Sequence, residues 1–550
     1  MPRGAGIRRP ARLSGAAIGS KRTMAFDRNA SKPFAYDFVM AVASARGVVS
    51  FWLIFGFLHA LFRIGYSSTL ALDDSAASEL VQALALGYQA RQPPLYEWLL
   101  WNVQQIAGTG ILSFLIVRYV LIAVLGYAIF MAVRHAVRDR RLAALASLSI
   151  CINYQIGWTF HESVTQTILL SIAMFGTFDA VMRFHTRPSL RHALWLGAAV
   201  GIGFLSKHSY ALFLLSLTLA AASLPGMRDL LRNRLLLAAA ALAFAIVSPY
   251  LAWLAQVGGD VVAASRDTLI HERLDYVTRT YNGLTRFFRA MLTFWMPWIV
   301  LIAILVPPAF RPAPAAAPPA SLAERLAGRT MTIAVALALI GVTAVGATNL
   351  GERYMYPLIA IAPIYLFARI DRLAATELRL VKLGVLFVCC AAAVLIVRMF
   401  SVVDTGIAKT DPYHTLVPYD RLAAELTARG LAEGTAYVPD IRIAGNVRAA
   451  LPGVRAITAD TFRLECPPRR PADDRIAFAL WPGIRNDRRV DALAPIAGLP
   501  RERFTVQKRQ TILGPLVPEI WTLVRLDGRA LACARCGPQA DSAQCRAERR

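Results

Sequence analysis

Residues 72–98 read LDDSAASELVQALALGYQARQPPLYEW. Two adjacent carboxylates, Asp73 and Asp74, open the stretch, Glu79 follows, and Arg91-Gln92 stand before a Pro-Pro pair. A strongly apolar run, 46–66, ends just before it, and another, 110–133, follows. Each is long enough for the roughly 20 residues that a helical bilayer crossing needs. The stretch is therefore a loop between two spans. Carboxylates beside a bilayer are unfavourable unless they face water or a partner, which makes them a candidate site. The same acids also suit the start of a surface helix running to about Tyr88, as an N-cap and as negative charge at the positive end of the helix dipole. The two roles are compatible.

Further apolar runs lie near 142–157, 163–183, 193–206, 209–224, 235–257, 289–309, 331–348, 354–369 and 379–400. The expected fold is a polytopic α-helical membrane protein with about eleven transmembrane helices. Composition agrees, with 56% hydrophobic and 17% charged residues, against about 25% charged in soluble domains. The net charge of +25 falls in short clusters between apolar runs, the pattern of cytoplasmic loops and of attraction to anionic membrane lipids. It lacks the basic patches interleaved with aromatics of a nucleic-acid binder, so no nucleic-acid partner is expected.

Residues 1–45 form a basic tail, expected to be disordered and cytoplasmic. No apolar run with a cleavage site follows its first charges closely, so a signal peptide is not expected, and Met24 is an alternative start. With the N-terminus inside, alternate loops collect Arg134, Arg138, Arg140 and Arg141, then Arg183, Arg187 and Arg191, then Arg228, Arg232 and Arg234. The loop 258–289 breaks the pattern, being both basic and acidic, and is long enough for an interfacial helix. VPPAFRPAPAAAPPA at 306–320 reads as an extended linker. This alternation puts LDD (72–74), RQPP (91–94), HES (161–163), SKH (206–208) and GERY (351–354) on one outer face. Unrelated loop residues would scatter over both faces, so their one-sidedness points to a single extracytoplasmic site.

Each residue of that site has two readings. Asp73 or Asp74 suits a general base, because a carboxylate near a low-dielectric surface with a raised pKa still deprotonates a hydroxyl. Glu162 is a second carboxylate or a helix cap, and with His161 and the acidic pair it makes a candidate set for a divalent cation. Lys207 and His208 interrupt an apolar hairpin, where a lysine must snorkel or pair. Arg353 either pairs with Glu352 or anchors at the interface; alternatively Arg91, Lys207 and Arg353 converge on a phosphate. Tyr88, Tyr96, Trp98, Trp158, Tyr210, Tyr354 and Tyr356 flank these positions as interfacial-belt residues, with one or two suited to stacking on a sugar. Acids and cations at a membrane surface suit a reaction whose leaving group is a lipid phosphate.

The order LDD, RQPPLYEWL, HES, LSKHSYALF and GERYMYP resembles the family-39 glycosyltransferases of the membrane-embedded GT-C class, which include protein O-mannosyltransferases and aminoarabinose–lipid A transferases. The resemblance covers about residues 46–400. It implies a GT-C-like catalytic domain there, a polyprenyl-phosphate sugar as donor, and inverting transfer of a hexose or pentose to a lipid or protein glycan acceptor outside the cytoplasm. By position it implies Asp73 as base with Asp74 beside it, and Glu162 as the second acid or a metal ligand. Lys207, Arg353 and Tyr354 fall at phosphate-binding positions, to which Arg91 is added as a candidate, and Gln92 and His208 are candidates for binding the substrate. Several family members carry a lysine immediately before the Pro-Pro; here that position is Gln92, so either Arg91 takes over the phosphate contact or donor recognition differs. A competing function is a lipid or glycan flippase, which would place its site near the midplane and show internal repeats; no such repeat is evident.

After Phe400 the composition turns polar. An amphipathic helix near 419–429 and apolar stretches near 435–439, 476–481 and 519–525 predict a small extracytoplasmic α/β domain over 401–550. An oxidising compartment would pair Cys466, Cys533, Cys536 and Cys545 in disulfides, with three pairings possible.

Overall fold

The computed structural model describes residues 34–403 and 416–526, apart from 163–164, 258–260, 262–268, 271–273, 459, 461–462, 474, 495 and 510–514. Among these, six helices are long and apolar enough to cross a membrane: Ala45–Tyr66, Ile111–Val133, Gln166–Thr186, Leu235–Val257, Leu322–Val345 and Glu377–Phe400. Two bent pairs raise the number to eight: Tyr210–Ser223 with Pro225–Leu231 at 119°, and Tyr276–Phe294 with Trp298–Leu305 at 49°. Apolar side chains such as Leu53, Ile54, Phe57 and Leu61 stay on the outside of the bundle, as they do where the surrounding solvent is lipid.

The multi-pass helical fold expected from the sequence is present, but the count of about eleven spans is not supported. Leu190–Ser206 has only 17 residues. The run 142–157 splits into Arg140–Ser149, a 3₁₀ turn at Ile150–Ile152 and the short helix Tyr154–Gly157. Asn153 makes that break: its Oδ1 accepts from the Ile156 N–H at 3.0 Å, and its amide donates to Phe294 O at 2.6 Å. The run 354–369 divides into Tyr356–Ile359 and Ala362–Leu373, each with a proline in its first turn, where the missing N–H is harmless. A helix at Phe34–Val42 also lies inside the stretch read as tail. Its Val39 is buried against Gly384, where a Cβ would come within 2.3 Å of the valine.

Close packing ties the first spans together. Trp52 lies over Gly126, where a Cβ would meet its ring at 2.1 Å. The Trp52 indole donates to Ser147 Oγ at 3.0 Å, and Ser147 donates to Gly126 O at 2.6 Å. One tryptophan thus links Ala45–Tyr66, Ile111–Val133 and Arg140–Ser149. Tyr210 and Tyr356, read as interfacial-belt residues, are instead core residues: Tyr210 shares a 2.6 Å hydrogen bond with Thr177, and Tyr356 stacks on Phe160.

The C-terminal part carries a five-stranded sheet, with β1 (Glu433–Val438), β2 (Gly453–Thr458), β3 (Ala477–Pro482), β4 (Arg501–Arg509) and β5 (Leu516–Arg525) in the order β2-β1-β3-β5-β4. β1 runs parallel to β2 and β3, while β5 is antiparallel to β3 and β4. Helices Tyr419–Ala428 and Ile441–Ala450 cover one face through Leu422, Leu426, Ile443 and Val447, and Arg488–Leu493 covers the other through Val490 and Leu493. Cys466 is disulfide-bonded; Cys533, Cys536 and Cys545 lie outside the described residues.

Candidate active site

The acidic stretch forms a short helix, Leu72–Leu80, entered from Ala71 with no side-chain cap. Both acids therefore sit in the first turn rather than at the cap position, and the helix dipole favours them there. It stops at Leu80, well short of Tyr88, because other parts of the chain take its last carbonyls. Arg463 donates to Glu79 O and Leu80 O, and Arg448 donates to Val81 O at 2.8 Å. The following segment turns beneath Trp253, where Gly87 leaves no room for a Cβ, and Tyr88 O accepts from the Leu464 N–H at 2.9 Å.

The helix separates the two aspartates. Asp73 is exposed and Asp74 is buried. Asp74 Oδ1 accepts from Arg118 Nη2 at 2.5 Å, with both side chains almost wholly out of solvent. The other arm of the Arg118 fork donates to His161 O at 3.2 Å. His161 is buried too, its ring stacked 4.0 Å from His59 and its Nδ1 3.3 Å from the Tyr119 hydroxyl. Glu162 pairs with Arg398 at 3.2 Å, and the Arg398 guanidinium lies 5.1 Å from the Trp158 ring centroid. Glu162 and His161 are thus engaged with Arg398, Tyr119 and His59. Among the described residues no three His, Cys, Asp or Glu side chains gather as ligands for a divalent cation.

The candidate cations are carried by other loops. Lys207 follows Leu190–Ser206 and donates from Nζ to Thr167 Oγ1 at 3.1 Å. Burial pushes its ammonium down to about 8, the Arg353 charge adds to that, and the Asp73 carboxylate opposes it. Lys207 is therefore within electrostatic reach of both Asp73 and Arg353. The Arg353 guanidinium is exposed and lies 5.3 Å from the Tyr354 ring centroid. Glu352 receives a hydrogen bond from Gln155. His208 Nε2 stands 3.1 Å from Ala90 O, joining the SKH turn to the segment that carries Arg91 and Gln92. Arg91 is exposed; Gln92 is half-buried, and its Oε1 has no hydrogen-bond partner among the described residues.

Residues 91–253 match the family described as dolichyl-phosphate-mannose-protein mannosyltransferase. Two relatives from Rhizobium johnstonii align over most of the chain. The lipopolysaccharide core galacturonosyltransferase RgtB is 27% identical, over 76% of this chain and 85% of its own. The lipopolysaccharide core galacturonosyltransferase RgtA is 28% identical, over 85% and 91%. The fold is similar to that of ArnT from Cupriavidus metallidurans. In the apo state the TM-score is 0.55 at 13% identity, and in the form bound to undecaprenyl phosphate it is 0.53 at 14%; both cover 90% of this chain and 100% of ArnT. Together these likenesses support a glycosyltransferase of the GT-C class.

Three charged residues of this chain escaped the reading of its sequence. Arg118 and Arg398 lie within apolar helices, and a charge inside an otherwise apolar span was the signal that would have found them. Glu97, between Tyr96 and Trp98, is fully buried; its Oε1 accepts from Gln166 at 3.0 Å, and burial pushes its carboxyl up to about 7. Gln166 neighbours Thr167, the acceptor for Lys207.

Proposed function

We propose that this glycosyltransferase moves a sugar from a polyprenyl-phosphate donor to an acceptor hydroxyl of the lipopolysaccharide core, on the extracytoplasmic face of the membrane and with inversion at the anomeric carbon. The observation that carries the reading is the position of Lys207, within electrostatic reach of both the Asp73 carboxylate and the Arg353 guanidinium. Asp73 takes the proton of the acceptor hydroxyl, and the oxygen attacks the anomeric carbon from the face opposite the phosphate. The bond from that carbon to the phosphate oxygen breaks, and the lipid phosphate leaves with its charge met by Lys207, Arg353 and the Tyr354 hydroxyl. Asp74 stays bound to Arg118 and orients the helix rather than taking the proton. His208, Gln92 and Arg91 line the approach to the donor. The undecaprenyl phosphate bound by ArnT supports the lipid carrier, and the galacturonosyltransferase relatives support a uronic acid as the sugar. The disulfide at Cys466 agrees with an oxidising compartment for the sheet domain.

The test is mass spectrometry of envelope glycolipids from cells with and without this chain. Loss of one glycosyl unit from the lipopolysaccharide core is expected; an unchanged core overturns the reading.

The pH dependence of donor use probes Lys207. Its ammonium is charged below its lowered pKa of about 8 and neutral above it. Attraction for the donor phosphate is thus present at low pH and lost as pH rises through that value. The kcat/KM for the donor should fall about tenfold per pH unit above about pH 8. Lys207→Arg, which keeps its charge, should move the fall upward. A flat profile for the unmodified enzyme on the alkaline side removes Lys207 from the phosphate site.

A further inference from the structure

We propose that Asn446, in the sheet domain, is a positioning residue for the transfer reaction: its side-chain amide fixes the start of the acidic helix so that Asp73 faces the cations. This inference rests on the reading of Asp73 as the base. The helix Leu72–Leu80 has no side-chain cap, and the sheet domain holds the residue just before it. Asn446 Oδ1 accepts from the Leu70 N–H at 2.7 Å, and its Nδ2 donates to Ser75 Oγ at 3.0 Å and lies 3.3 Å from Leu70 O. One amide thus closes on both backbone groups of a residue just before the helix and on a side chain in its first turn. Nδ2 also donates to Arg442 O at 2.9 Å, which holds Asn446 rigid in its own helix.

The grip continues along the acidic helix. Ser78 Oγ donates to Gly445 O at 2.8 Å, and a Cβ at Gly445 would lie 2.1 Å from Ser75 O, so the two backbones touch. Beyond the helix, the Gln82 side chain pairs with both backbone groups of Ala456 at 2.8 and 2.9 Å. It extends β2 as one more residue of strand would. Ser75, Ser78 and Gln82 are spaced i, i+3 and i+7, and the two serines make one stripe of the helix facing the sheet domain. At about 100° per residue, Asp73 lies about 200° round from Ser75, on the side away from that stripe. Asp74 lies between, tied to Arg118. The helix is therefore clamped on one side by the membrane bundle and on another by the sheet domain, and of its two aspartates Asp73 is the one left exposed. Side chains reach about 5–6 Å from a helix axis, so a rotation of about 20° moves a carboxylate by about 2 Å. A misplacement of about 1 Å is enough to slow a reaction about 100-fold. Lys207 and Arg353 are carried by other loops, so donor binding does not depend on this rotation.

The test uses the full-length purified enzyme. Asn446→Ala should lower kcat about 10- to 100-fold while the KM for the polyprenyl-phosphate sugar stays within about twofold. Asn446 acts through Asp73, so Asp73→Asn with Asn446→Ala should be no slower than Asp73→Asn alone. Trp481→Phe is the control for general damage to the sheet domain: its indole donates to Arg485 O at 2.7 Å, remote in its contacts from the acidic helix, and kcat should hold. If Asn446→Ala does not fold, Ser75→Ala, which removes only the hydroxyl that Asn446 reaches, should give the same split in kcat and KM. A normal kcat in whichever of these folds, an equal loss in Trp481→Phe, or a further loss in the double variant overturns the proposal. Full activity in Asp73→Asn would instead remove the base, whereas an inactive Asp73→Asn beside a normal Asn446→Ala removes this inference alone.

Discussion

Asp73→Asn is expected to reduce sugar transfer by about 10²- to 10⁴-fold, the contribution of a general base, with the protein still folded and inserted. The substitution keeps the size of the side chain and removes its ability to take a proton. Asp73 is exposed in the first turn of its helix, so exchanging it buries no new polar group. The measurement is kcat of the purified variant together with its unfolding midpoint in detergent. Full activity at an unchanged midpoint takes the base role away from Asp73. The same change at Asp74 acts differently, because that carboxylate is buried against Arg118 and its loss strands a guanidinium.

Arg118→Met is expected to destabilise the fold by about 3–5 kcal/mol, since it leaves the Asp74 carboxylate buried without its partner. The arginine sits in Ile111–Val133 and joins Asp74 to the carbonyl of His161. Removing it therefore loosens the acidic helix and the 159–162 turn together. A double variant, Arg118→Met with Asp74→Leu, should recover most of the lost stability, because an apolar pair of similar volume avoids desolvating two charges. Thermal unfolding in detergent checks both, and a single variant that melts like the parent shows that the pair does not hold the loop. The double variant should stay slow, since nothing then orients the helix that carries Asp73.

The sequence by itself determined that this is a multi-pass membrane protein with acids and cations in the loops. A bilayer demands long apolar helices whatever they pack against, so hydropathy is legible one segment at a time. The motifs LDD, RQPP, HES, SKH and GERY stood out because polar clusters are rare beside such segments. Their division of labour was not legible. Which aspartate meets Arg118 and which faces Lys207 depends on the rotation of one short helix, and that rotation is set by partners 44 and 367 residues away, Arg118 for Asp74 and Gly445 for Ser78. The end of that helix at Leu80 and the break at Asn153 have the same origin: Arg463 and the Phe294 carbonyl compete for backbone and side-chain groups that local propensity assigns to longer helices. The edge strands β2 and β4 went unread because charged residues interrupt the apolar ones, Arg455 in β2 and Arg501, Glu502, Arg503, Lys508 and Arg509 in β4. Local hydropathy told where the chain crosses lipid; the hydrogen bonds and ion pairs of a shared interior, which no single segment encodes, decided which carboxylate was buried against Arg118 and which was left exposed.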